Sequence, residues 1–143
     1  MPYQFLEDIA IADIAFSAWG KDLEETFIAA ADATMNVMVE DLDSIQPLEK
    51  REVRLQNEAL DMLLFDLLQE LVYYKDSEKL MLRIHQIKIK RDDGLHVLEA
   101  IALGENLDPN RHQTRADVKA VTLHRFDLVE TDQGWKATVI LDI

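Results

Sequence analysis

Residues 80–103 read LMLRIHQIKIKRDDGLHVLEAIAL. Apolar and polar side chains alternate on both sides of Asp93–Gly94, which is the pattern of strands with one buried face. The alternation changes parity near His85 and Gln86, which predicts a β-bulge. Asp93–Gly94 is a two-residue hairpin signal, since both turn positions need a backbone that these residues tolerate. The stretch therefore predicts a strand over Leu80–Arg91, a tight turn, and a returning strand over Leu95–Leu103.

Upstream of this hairpin the period changes. From Asn57 to Tyr74, Leu60, Leu63, Leu64, Leu67, Leu68 and Leu71 follow the i, i+3, i+4 spacing of a helix laid on a sheet. Asn57 is the candidate cap. Residues 21–39, KDLEETFIAAADATMNVMV, predict an earlier helix. Asp22 can cap it, and Glu25 stands three residues later, as in a capping box. Leu23, Phe27, Ala30, Ala31, Thr34 and Met38 then form one apolar stripe. Between the helices, residues 41–51 read as a polar connection and Glu52–Gln56 as a short strand. Before them, FLEDIAIADIAFSAWG, residues 5–20, reads as a single strand ending at Gly20.

Downstream, residues 104–116 read as a polar loop. Asp117–Val129 and Trp135–Asp142 then form a second hairpin around TDQG. The order is strand, helix, short strand, helix and four strands. It predicts an α+β fold, a mainly antiparallel sheet with two helices packed on one face. Four glycines and three prolines leave no flexible interdomain linker, so residues 1–143 are read as one domain.

Composition narrows the chemistry. Hydrophobic residues make up 48% of the chain, enough for a core. The absence of cysteine removes disulfides, thiolate zinc sites and cysteine nucleophiles, and fits a cytoplasmic location. The start has no signal-peptide pattern, and no apolar run is long enough to cross a bilayer. With 28 acids against 15 bases the net charge is −13. Direct binding to a phosphate backbone is disfavoured, and a cation or a basic protein surface suits this charge better.

Two acids are candidate ligands. Asp13 follows apolar residues within its predicted strand, and burying it requires a cation or donors. The alternative is an exposed strand end. Asp142 sits next to Ile143, where a side-chain and a terminal carboxylate meet. Ca²⁺, Mg²⁺ and Mn²⁺ take such oxygen ligands. Asp13, Asp142 and Ile143 could form one site if the first and last strands are neighbours. Lys119 is a further candidate, a cation in an otherwise apolar strand and on one face with Val121 and Leu123; its alternative role is to snorkel to solvent.

Other motifs fail. DLDSIQPLEKRE, residues 41–52, begins like a calcium loop, but Gln46 replaces the required glycine and Ile45 an acid. His85, His96, His112 and His124 lack metal-ligand spacing. There is no phosphate-binding glycine pattern, and Ser17, Ser44 and Ser77 lie in no nucleophile motif.

IADIAFSAWGKDLEETF (residues 11–27), ALGENL (102–107), DVKAVTLH (117–124) and the terminal Asp142–Ile143 occur in the order of the archease motifs. The chain resembles that family over essentially its whole length. Ala10 and Ile11 stand where the family has His and Thr, and Asp22 where it has Ser or Thr. The resemblance implies a strand–helix–strand–strand module with a helical insertion. It implies a protein cofactor, not an enzyme, that activates the GTP-dependent tRNA-splicing RNA ligase by promoting guanylylation of the ligase histidine and multiple turnover. It also implies a divalent metal, Ca, Mg or Mn, on Asp13, Asp142 and Ile143, and a functional place for Lys119. Two other readings remain open: a metal-dependent hydrolase or phosphatase using the same carboxylates, and a chaperone-like interaction module.

Overall fold

The computed structural model of the chain describes residues 2–6 and 13–143. Its elements run β1 (Tyr3–Leu6), β2 (Asp13–Gly20), α1 (Leu23–Met38), a 3-10 turn (Leu42–Ser44), β3 (Glu49–Asn57), α2 (Leu60–Glu78), β4 (Leu80–Asp92), β5 (Leu95–Asn106), β6 (Ala120–Val121), β7 (Asp127–Thr131) and β8 (Gly134–Asp142). The α+β class and the two helices agree with the sequence reading. The strands divide between two sheets. One has the order β1-β2-β8-β6, with β7 also paired to β8; the other has the order β3-β5-β4. Every pairing between the named strands is antiparallel.

The β4–β5 hairpin forms as its sequence predicts. Its register shifts between Ile84 and Gln86, and Asp93 (φ 49°) and Gly94 (φ 82°) both turn through the left-handed region. Gly104 of β5 has a different reason to be glycine: a Cβ there would lie 1.8 Å from the carbonyl oxygen of Met81 on β4.

Helix α1 starts where its capping residues dictate. Asp22 accepts the Glu25 N–H at 2.8 Å, while the Glu25 side chain accepts the Lys21 N–H at 3.1 Å. From Phe27 on, the apolar stripe is buried and so are its flanks, because α1 packs against β2 and β8 of one sheet and β4 of the other. Small residues make this close approach possible: Ala29, Ala30, Ala31 and Ala33 are all buried. Helix α2 buries Leu63, Leu64, Leu67, Leu68 and Leu71 as the spacing predicts. It begins at Leu60 rather than beside Asn57, which instead accepts the Ala59 N–H at 3.0 Å and donates to Asp66 at 3.1 Å.

Three expectations need correction. Residues 5–20 are not one strand. Tyr3 pairs with Ala18 and Leu6 with Ala15, so Tyr3–Leu6 and Asp13–Gly20 are two strands paired antiparallel; the part of the expected strand over 7–12 lies outside the described residues. This pairing stacks Phe5 on Phe16 and Tyr3 on Phe5, edge to face, and buries Tyr3 with Phe16 in the core. The short strand predicted at 52–56 extends over Glu49–Asn57, along most of β5. Asp117–Val129 is also not one strand. β6 is two residues long, Arg125 turns at φ 54°, and the Phe126 N–H bonds to the Leu123 carbonyl. Phe126 then packs edge to face on Phe65 of α2, at 5.5 Å between ring centres. Thr122 still donates to the Ile140 carbonyl of β8, and the chain leaves the sheet over residues 123–126 before β7 pairs with β8.

The loop read as polar contains a buried charge network. Glu105 is 5% exposed and His112 1% exposed. Glu105 accepts the Gln46 N–H at 2.6 Å and pairs with Arg111. His112 Nδ1 accepts the Asp108 N–H at 2.9 Å, so its Nε2 carries the proton and donates to Glu105 at 3.0 Å. Burial pushes the Glu105 carboxyl up, but these hydrogen bonds outweigh it and hold the group below the ordinary value of 4.5. A carboxyl lowered on folding stabilises above its unfolded pKa and loses that contribution as pH falls through the folded one. Glu105→Gln should therefore lower stability at pH 7 by about 2 kcal/mol, the order expected for hydrogen bonds to a buried charged group. The gap between the two proteins should close below pH 4.5. Urea unfolding at pH 7 and at pH 3 measures both.

Candidate functional site

β2 and β8 align without a register shift from Asp13↔Asp142 to Gly20↔Trp135. Their apolar partners explain the register. Phe16 lies opposite Val139, Ala18 opposite Ala137, and Ile14 opposite Leu141, on the face that meets the helices. A slip of one residue would turn this apolar set away from the core. The same register sets Asp13 directly across from Asp142, on the other face. Residues opposed in this way have Cβ atoms about 4.5–5.5 Å apart.

Both aspartates are half-buried. Among the described residues, neither side chain takes part in a hydrogen bond or an ion pair. Two like charges placed directly opposite destabilise a sheet unless something neutralises them. Ile143 follows with its side chain packed against the core, so its backbone end is held beside Asp142. On the other flank of Asp142, Ala120 is its Cα partner and the Lys119 N–H donates to the Asp142 carbonyl oxygen at 2.8 Å.

The fold thus brings Asp13, Asp142, Ile143 and the backbone of Lys119 to one end of one sheet. Lys119 departs from its expected setting: it lies just before β6, not within a long strand, and its side chain is exposed. Ala10 and Ile11 fall outside the described residues.

This arrangement suits a hard cation in chemistry and charge. Among the described residues no group of three or more His, Asp or Glu side chains is placed to hold a metal ion. Two side-chain carboxylates of the described residues are available there, Asp13 and Asp142, with backbone oxygens beside them. The histidines lie elsewhere; His112, the buried one, is committed to Glu105 and Asp108. Sequence reasoning found both aspartates but not the Glu105 network. Its one signal was Glu105 and His112 lying seven residues apart in a stretch otherwise read as loop.

Comparison with known proteins agrees with the motif order. The model of the Archease protein family (MTH1598/TM1083) matches residues 3–143. The archease of Methanothermobacter thermautotrophicus is 41% identical over 133 residues, covering 92% of this chain and 93% of that protein. The archease of Pyrococcus abyssi is 37% identical with the same coverage. The solution structure of Methanobacterium thermoautotrophicum protein 1598 matches with a TM-score of 0.85 at 36% identity, over 99% of each chain. An archease crystal structure from Thermotoga maritima shares the fold, at a TM-score of 0.58 and 17% identity over 98% of each chain. The chain belongs to the archease family.

The carboxylate pair has a measurable consequence. Without divalent ions, Asp13→Asn should stabilise the folded chain by about 0.2–1 kcal/mol at low salt, since it removes one of two opposed charges. Urea unfolding at low and high NaCl, with a chelator present, should show this gain shrinking as salt screens the pair.

Proposed function

We propose, starting from the chain's place in the archease family, that this protein is a non-enzymatic activator of the GTP-dependent tRNA-splicing RNA ligase in the cytoplasm. Its role is to promote guanylylation of the ligase histidine and to support multiple turnover. The observation that carries this reading is the direct opposition of Asp13 and Asp142 at the two positions that the family resemblance names. Asp13, Asp142 and the carboxylate of Ile143 would hold a Ca²⁺, Mg²⁺ or Mn²⁺ ion. Such an ion supplies positive charge that attracts an anionic oxygen of a partner or nucleotide.

The chain's own residues do the positioning. The β2–β8 pairing holds two carboxylates at fixed separation, and the core-packed Ile143 side chain keeps the end of β8 from swinging away. Lys119, exposed beside Asp142, offers a cation to a partner at the same edge. Electrostatics favours a protein partner. A chain with net charge −13 is drawn to a basic surface and repelled by an RNA backbone.

Asp13→Ala should keep its circular dichroism spectrum but lose at least about 10-fold in ligase stimulation, the range seen when groups that organise a metal site are removed. The assay adds substoichiometric chain to the cognate ligase with GTP and Mn²⁺. Full stimulation by the folded variant contradicts the assignment. Metal-dependent nucleotide hydrolysis by the isolated chain would favour a hydrolase instead. The Thermotoga relative is described as a possible chaperone; that reading expects the chain to suppress aggregation of unrelated unfolded proteins.

A further inference from the structure

Two side chains of α2 grip the segment that flanks Asp142. The Lys75 ammonium donates to Asp117 Oδ1 at 2.8 Å and to the Val118 carbonyl oxygen at 2.7 Å, and it also pairs with Asp76. All three of its N–H donors are thereby used. Its side chain is only 10% exposed. Burial pulls its pKa down, but the hydrogen bonds to Asp117 and Asp76 outweigh this and raise it, so the group is a cation near neutral pH. Six residues earlier on α2, Gln69 Oε1 accepts the Val121 N–H at 3.3 Å.

Between these anchors lie Lys119 and Ala120, the two residues that meet Asp142. β6 is two residues long, and β8 holds it at its two ends, through the Lys119 N–H on the Asp142 carbonyl and the Thr122 N–H on the Ile140 carbonyl. On its other side the contacts come from Lys75 and Gln69 of α2. Asp142 is fixed from one side by Asp13 of β2 and from the other by a segment tied to Lys75.

We propose that Lys75 is a positioning residue for the carboxylate site: it fixes Asp117–Val121 and, through the Lys119 N–H, the backbone that carries the Asp142 side chain. This rests on the reading of Asp13 and Asp142 as cation ligands. A longer or looser Lys119–Asp142 bond lets the end of β8 drift from β2 and changes the spacing of the two carboxylates. Outer residues that orient metal ligands change affinity by about 10–100-fold when removed.

The chain has no cysteine, so Lys75→Cys introduces a single thiol. Alkylation with 2-bromoethylamine in denaturant, followed by refolding, converts it into a close analogue of lysine. Calorimetric titration with Mn²⁺ alone should show at least about 10-fold weaker binding by Lys75→Cys and recovery after aminoethylation. Hydrogen exchange at the Lys119 amide should quicken in Lys75→Cys and slow again in the aminoethylated protein, with no metal present. Unchanged Mn²⁺ affinity in folded Lys75→Cys overturns the proposal, as does a loss that aminoethylation leaves in place. Absence of Mn²⁺ binding by the unsubstituted chain overturns the cation reading itself, and exchange at Lys119 then reports separately whether the α2 clamp exists. Asp117→Ala is a second variant, since the Asp117 side chain is 67% exposed and its removal spares the core. It should weaken Mn²⁺ binding in the same direction and by less, and unchanged affinity there counts against the proposal.

Discussion

The register between β2 and β8 is the constraint on which the rest depends. It buries Phe16 against Val139 and Ala18 against Ala137, beneath α1, and in the same step sets Asp13 across from Asp142. Core and site therefore share one cause. Apolar burial favours this register strongly, since a slip would expose the whole inward set. The repulsion of two opposed carboxylates opposes it only weakly. The core can hold the acids together before any cation arrives.

How far the sequence could be read depended on how local the signals were. The β4–β5 hairpin, its bulge at His85 and its Asp93–Gly94 turn were legible because neighbouring residues decide them. So were the Asp22–Glu25 cap and the leucine stripe of α2. The first strand was misread because Phe5 to Trp19 keeps an apolar character through both strands, and alternation cannot show that β1 pairs with β2. The break at 123–126 was invisible for a related reason. Its turn falls at Arg125, with no glycine or Asn-Gly pair to announce it, and Phe126 packs on Phe65, some sixty residues earlier in the chain.

The site was legible in its members but not in its geometry. Asp13 and Asp142 stood out as acids next to apolar residues, and the archease motifs named them, but only the β2–β8 pairing makes them neighbours. Lys119 was located in sequence and misplaced in structure. Its backbone, rather than a strand-bound side chain, is what meets Asp142. Glu105 and His112 escaped notice because each looks like an ordinary loop residue. Glu105 lies near the end of β5, opposite Met81, and the segment after it returns to the end of α1, where the Arg115 and Ala116 N–H groups bond to the carbonyls of Met38 and Val37. That loop delivers the chain to Lys75 and then to Asp142, so two polar anchors, one at Glu105 and one at Lys75, carry the path from β5 to the carboxylate edge.

The most direct test of this account is where a paramagnetic cation settles on the folded chain. Mn²⁺ broadens the amide resonances of residues near it, and a two-dimensional ¹H–¹⁵N spectrum reads every backbone position at once. The account predicts broadening centred on Ile14, Leu141, Asp142 and Lys119–Ala120, the residues around the opposed carboxylates. Broadening centred on another acidic stretch, such as Asp41–Asp43, or none at stoichiometric Mn²⁺, would contradict it.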